Sequence, residues 1–340
     1  ETWDDLRDSV NMYMHALSHQ RSIPQFNLLS PLAETPIHTS YRDQLTLEEL
    51  CSDTSHQGRK QNNLDRDLIR RYPDIFPNFY LVPVPHLDRD GLLELREFLL
   101  LAPARLRWLF VALHKTTSGM LDVFSAWRRH RMQFRPGLQG WALRAYYMRD
   151  EARTEFVRFV LGHFATSMSP AVECLASSYA ALADARCAEA CVPEGDLTQS
   201  PVGTDVPVRA PDTCVLQLDW DVQGIIDSLK RRELPVAVNR GSRFFRTQPS
   251  GEDSRLIETT PLIAAGLQAC NGTNTVTDFV HRLADAFDGP GPARRLAAEC
   301  LLETLHNEGL IEMRRPSFPT KKSSTAQGCA VELLPSAVAG

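Results

Sequence analysis

The chain has 340 residues, room for two ordinary domains or three small ones. Hydrophobic residues make up 43% and charged residues 23%, enough to bury a core, and a net charge of -5 sets up no global field toward nucleic acid. No apolar run nears the ~18 residues of a membrane helix, and the opening Glu1-Thr-Trp-Asp-Asp has neither a basic n-region nor an apolar h-region, so a cytoplasmic chain without membrane contact is expected.

Residues 1–65 read as an irregular N-terminal segment. One helix is expected over 6–17, then loops around Pro24, Pro31 and Pro36, and a polar stretch over 52–63. Residues 66–192 read as a helical docking domain. A short helix over 64–69 precedes Tyr72-Pro-Asp-Ile-Phe-Pro-Asn-Phe-Tyr-Leu-Val-Pro-Val-Pro, where proline density excludes a helix or a central strand and predicts an extended, anchored segment. Helical spacing then dominates 90–190. Leu92, Leu93, Leu95, Phe98 and Leu99 make one face, broken at Ala102-Pro103 and resumed by Leu106, Leu109, Phe110 and Leu113. Ser118 is the expected cap of the next helix, which Arg135-Pro-Gly ends. About five helices and no strand are expected here.

Residues 193–233 read as a linker, with a short strand at Cys214-Val-Leu-Gln-Leu-Asp and a helix over 222–229. The period then changes. In 234–315, Val236-Ala-Val, Ser242-Arg-Phe-Phe-Arg and Arg255-Leu-Ile-Glu-Thr predict three strands, the first two joined at Asn239-Arg-Gly. Three helices follow, opened by Thr260-Pro261, by Thr275 with Asp278 at capping-box spacing, and after Asp288-Gly-Pro-Gly-Pro. Gly309 stops the third, and Leu310-Ile-Glu-Met is a last extended piece. Residues 316–340 are expected to be a disordered tail. The fold class is α+β: a helical region, then a winged-helix-like unit of three strands and three helices.

Candidates for chemistry are sparse. His15 and His19 share a helix face, but two ligands do not make a zinc site. Cys187 and Cys191 lack a second ligand pair, and the eight cysteines are too scattered for a disulfide framework. Cys174, Cys270 and Cys300 read as small buried hydrophobes. Asp219 and Asp221 form a weak acid pair, with Asp221 read as a helix cap. Arg128, Arg129, His130, Arg131 and Arg135 read as a solvated face or a docking surface for an acidic partner. No phosphate loop, nucleophile elbow or His-Glu-x-x-His occurs, so no catalytic or metal-ligating residue is assigned.

The winged-helix-like unit leaves two uses, DNA and peptide. It carries nine arginines, no lysine and ten acids, a net charge of -1, and Glu299, Glu303 and Glu308 fall on its third helix. Acids there would repel phosphate, which disfavours a winged-helix transcription regulator binding DNA. A peptide can instead add to the third strand by main-chain hydrogen bonds. The expected binding residues are Phe244, Arg255, Leu256, Ile257, Glu258 and Thr259 from the strands, with Arg295, Glu299, Leu302 and Glu303 from the helix forming the other wall.

Several of these segments resemble the PqqD-like RiPP recognition element. They are Arg255-Leu-Ile-Glu-Thr, the helix ending Asn271-Gly, the start Thr275-Val-Thr-Asp, and the close Glu308-Gly-Leu-Ile, about 80 residues in all. A helical region ahead of such an element resembles the partner subunits of multinuclear non-heme iron oxidases, most of all that of the 3-thiaglutamate pathway. The resemblance implies a non-catalytic protein that binds a precursor or carrier peptide and docks to the oxidase. The oxidase would modify a peptide cysteine, in that pathway by excising the β-carbon of a C-terminal one. The iron would belong to the oxidase, and no cofactor is expected in this chain.

Overall fold

The computed structural model describes residues 2–28, 32–47, 63–76, 79–82, 86–101, 103–188, 196–197, 202–211, 213–250 and 253–315. Residues 52–62, Cys191 and the tail 316–340 lie outside the described residues, as does the side chain of Cys187.

Helix α1 (Trp3–Leu17) opens on a capping box: the Thr2 hydroxyl accepts from the Asp5 N–H while the Asp5 carboxylate accepts from the Thr2 N–H. Leu6, Val10, Tyr13 and Leu17 follow at helical spacing and are buried. Short helices α2 (Pro36–Tyr41) and α3 (Asn63–Arg71) come next. The proline-rich segment is extended as expected, and Tyr80–Leu81 forms a two-residue strand, β2, against β1 (Thr46–Leu47). Both strands lie before the stretch 90–190, where no strand is expected and the described residues form none.

Six helices follow among the described residues: α4 (Arg89–Leu101), α5 (Pro103–Thr116), α6 (Met120–Phe134), α7 (Gly140–Tyr147), α8 (Asp150–His163) and α9 (Pro170–Ala188). Pro103 starts α5, and the backbone is non-helical at Leu106 (φ -118°, ψ 20°), so the break extends past the proline. Ser118 is not the cap of α6. Gly119 takes that position at φ +130° with no side-chain capping bond, a backbone state only glycine adopts readily. The core is aromatic. Phe98 lies 4.9 Å from Phe110 and 5.3 Å from Phe156 between ring centroids, and Trp127 lies 5.5 Å from Phe156. Such rings each bury ~150–250 Å².

The remaining chain builds two antiparallel sheets. One has the order β5 (Val215–Trp220), β6 (Arg240–Ser250), β7 (Asp253–Thr259), with α10 (Val222–Lys230) between the first two strands. The first strand is therefore the one expected in the linker. Val236-Ala-Val forms no strand, and Val236 is 93% exposed. Its apolar letters mimic a strand, but Pro235 precedes it, and only Val238 packs against the helical core while Val236 faces solvent. The second sheet has the order β3 (Asp196–Leu197), β8 (Ile311–Arg315), β4 (Val206–Arg209). Residues 206–209 are thus a paired strand rather than linker. The Asp205 carbonyl also accepts from the Val276 N–H at 2.8 Å, and the Arg209 N–H donates to the Cys270 carbonyl at 3.1 Å.

Three helices, α11 (Pro261–Ala269), α12 (Val276–Ala284) and α13 (Gly291–Asn307), carry the expected caps. Thr260 accepts from the Ile263 N–H ahead of Pro261, and Thr275 and Asp278 complete a capping box. Helix α13 ends on Gly309 at φ +67°, with the Leu310 N–H donating to the Leu305 carbonyl and the Gly309 N–H to that of His306. This double bond pattern is a Schellman stop. Gly266 of α11 lets α13 approach, since a Cβ there would lie 3.1 Å from Leu305 Cδ1 and 3.2 Å from Leu301 Cδ2.

The β5–β6–β7 sheet is a middle layer. Side chains alternate between its faces. Cys214, Leu216, Leu218, Phe245 and Leu256 join the core of the helical region. Val215, on the opposite face, joins a second core of Leu267, Cys270, Phe279, Leu302, Leu305 and Met313. The whole is α+β, a mostly helical region followed by small antiparallel sheets and helices.

Candidate functional site

Strand β7 pairs with β6 and has no second neighbour among the described strands. Which of its backbone groups point outward follows from one bond. The Thr247 N–H donates to the Cys214 carbonyl at 3.0 Å, so Thr247 turns its peptide groups toward β5. Backbone direction alternates along a strand, so Arg246 and Phe244 turn theirs toward β7. The register pairs Arg246 with Ile257 and Phe244 with Thr259. Ile257 and Thr259 therefore spend their N–H and C=O groups inside the sheet. Leu256 and Glu258 present theirs to the free edge. The sequence shows the strand but not this parity, which depends on pairing with β5.

The expected site residues divide accordingly. Leu256 is half-buried against the helical core, and α5 packs beneath β7 on that face. Ile257 and Thr259 are half-buried on the opposite face, the one Phe244 shares. Glu258 is exposed and accepts a 2.7 Å hydrogen bond from Arg243, which also lies 3.7 Å from Asp221. The Glu258 bond and the Asp221 charge hold the Arg243 guanidinium above its usual pKa. Of Arg255 only the backbone is described; it forms a rung with Gln248.

On α13, Arg295, Glu299 and Glu303 are exposed on one face, beside Leu296 at 61% exposure. Leu302 is different. It is buried with Ala298 and Leu305 in the second core, so it offers no surface to a ligand. Its position one residue before Glu303 turns it by ~100° onto the inner face. The helix reaches the sheet through Glu308, 3.6 Å from Arg246 on the face of β6 shared by Ile257.

The other candidates resolve into structural roles. Asp221 caps α10, accepting from the Gly224 N–H at 2.7 Å. His19 lies 3.0 Å from Arg232, whose charge lowers the imidazole pKa. Burial raises the Cys174 thiol to about 11 and the Cys270 thiol to about 12; Cys300, expected buried, is exposed. The basic run is largely neutralised: Arg128 and Arg131 bond the buried Glu94, at 3.2 and 2.7 Å, and Arg135 bonds Glu155 at 2.7 Å. Among the described residues no three His, Cys, Asp or Glu side chains cluster as metal ligands, and no helix is long and apolar enough to cross a membrane.

No family model matches the sequence, and no curated protein matches it.

Proposed function

We propose that this chain is a non-catalytic partner protein that captures a peptide as an added strand on the edge of β7. The observation that carries this reading is the unpaired edge, where Leu256 and Glu258 present backbone donors and acceptors beside a three-helix unit. An extended peptide gains affinity there from main-chain bonds and selectivity from alternate side chains. The winged-helix-like order of strands and helices in 215–315, and the segments resembling a PqqD-like recognition element, support a RiPP precursor or carrier peptide as the occupant. The exposed acids Glu299 and Glu303 favour a basic segment in it and disfavour DNA.

On this reading the helical region docks to a multinuclear non-heme iron oxidase that holds the iron and modifies a peptide cysteine, in the cytoplasm. Tethering raises the local concentration of peptide at the oxidase.

The test is binding of synthetic precursor peptides encoded beside this chain, with Glu258→Pro as the variant. Proline is tolerated where the lost N–H faces outward on an edge, so the fold should persist while one outward donor disappears. The wild type and a Glu258→Gln control should bind the same peptide, and Glu258→Pro should bind it at least ~10-fold more weakly, a loss of ~1.4 kcal/mol. Equal binding by all three would defeat edge capture.

A further inference from the structure

The helical region contains a cleft of about 730 Å³ between the C-terminal halves of α6 and α8, far from the β7 edge in sequence and built on different elements. Both helices face it with one periodicity. Trp127, His130, Arg131 and Phe134 line it from α6, and Glu155, Arg158, Phe159, Gly162 and His163 from α8. This volume falls in the range of small-molecule sites, ~300–1,000 Å³.

Three features bear on what would fill it. First, the wall is a continuous run of rings. His130 lies 5.1 Å from Phe159 and 4.9 Å from Phe134 between centroids, and His163 stacks on Phe159 at 4.8 Å and 20°. Phe134 is 70% exposed at the rim. Second, Gly162 weakens its helix relative to alanine, yet a Cβ there would meet nothing within 4 Å. No packing among the described residues requires glycine at this place, and its missing side chain keeps the cleft open. Third, the charges are unevenly spent. Glu155 is held by Arg135 at 2.7 Å and Tyr146 at 2.7 Å, and Arg131 is held by Glu94. Among the described residues Arg158 has one contact, at 3.3 Å to Asp184, with both side chains about two-thirds exposed (65% and 69%). The lining acid is satisfied, and a loosely held cation stands at the mouth.

We propose that this cleft binds a planar aromatic carboxylate, its ring laid on His130, His163 and Phe134 over the buried Phe159 and its anion at Arg158. Offset stacking on such faces rewards a flat π-system over a saturated ring of equal size, and a guanidinium pairs a carboxylate through two parallel bonds.

The full-length chain can be titrated calorimetrically with 2-naphthoate, with 2-naphthylmethanol as the neutral ring and cyclohexanecarboxylate as the non-aromatic anion. Naphthoate should bind more tightly than either. Gly162→Leu fills the cleft from an exposed helical position and should weaken naphthoate at least ~10-fold. Arg158→Gln should weaken naphthoate about fivefold and leave naphthylmethanol unchanged. The proposal is overturned if millimolar naphthoate does not bind, or if cyclohexanecarboxylate binds equally well. Undiminished binding by Gly162→Leu with a wild-type melting temperature also overturns it. Should that variant fail to fold, Arg158→Gln decides alone, and an unchanged naphthoate affinity overturns the assignment.

Discussion

Glu94 anchors a buried polar network in the helical region. Its carboxylate is 1% exposed and accepts from Arg131, Arg128 and, at 2.9 Å, the Tyr147 hydroxyl, which in turn accepts from the Trp127 indole at 3.1 Å. Burial and the neighbouring Glu94 charge push the Tyr147 hydroxyl well above its usual pKa, so it stays a donor. Glu94→Ala would strand Arg131, 4% exposed, without its main counter-charge. The expected loss is ~3–5 kcal/mol, read from urea unfolding. Cysteines give a second residue-scale test. In native protein at pH 8 a thiol reagent should label Cys300, while Cys174 and Cys270 should react only after unfolding, as peptide mass mapping would register. Residues whose role depends on near neighbours were legible: Asp221, Thr260 and the Thr275–Asp278 pair cap helices where a three-residue spacing predicts it. Leu302 was not, because its inward turn depends on where the facing helices α11 and α12 lie.

At the scale of elements, β7 separates two prolines one position apart. Ile257 belongs to a rung with Arg246, so Ile257→Pro breaks a sheet bond and should cost ~1–3 kcal/mol of stability. Glu258→Pro should cost much less, because its N–H faces outward. Melting temperatures of the two variants check the parity directly, independent of any ligand. Helix α8 offers a pH test. Burial raises the Glu155 carboxyl, but the hydrogen bonds from Arg135 and Tyr146 outweigh it and leave the pKa below the ordinary value. A depressed folded pKa contributes stability above the unfolded value, ~4.3, that is lost as pH falls through the folded value. The wild type should therefore lose stability more steeply below about pH 4 than Glu155→Gln, in unfolding free energies measured from pH 7 to 3. Element positions were legible where apolar periodicity was long, as in α4, α5 and α13. Strands were legible at 215–220, 240–250 and 253–259, whereas Val236-Ala-Val misled, since its composition resembles that of Cys214-Val-Leu and only the latter meets a core on both faces.

For the whole molecule, the middle sheet removes the boundary that the change of period at residue 234 predicts. Phe245 and Leu256 lie in the core of the helical region, and the Trp220 indole donates to Ser178 of α9 at 3.1 Å. A fragment of residues 234–315 lacks β5 and β4 and exposes one face of the remaining strands. It should give an unfolded far-ultraviolet circular dichroism spectrum, whereas the full chain should unfold with helix and sheet signals lost together. A composition shift marks where the chain changes its local period, and packing across that shift leaves no local trace to read.

The pairing of β4 with β8 has a consequence for the order in which the protein forms. Val206 faces Arg314 and Arg209 faces Ile311, so about a hundred residues must be synthesised between the two partners. At ~5–20 residues per second, β4 emerges some ~5–20 s before the strand that completes it. In that interval the nascent helical region can close its aromatic core, but residues 206–209 must wait. Among the described strands β8 is thus the last to arrive, and chains released before residue 311 would leave β4 unsealed.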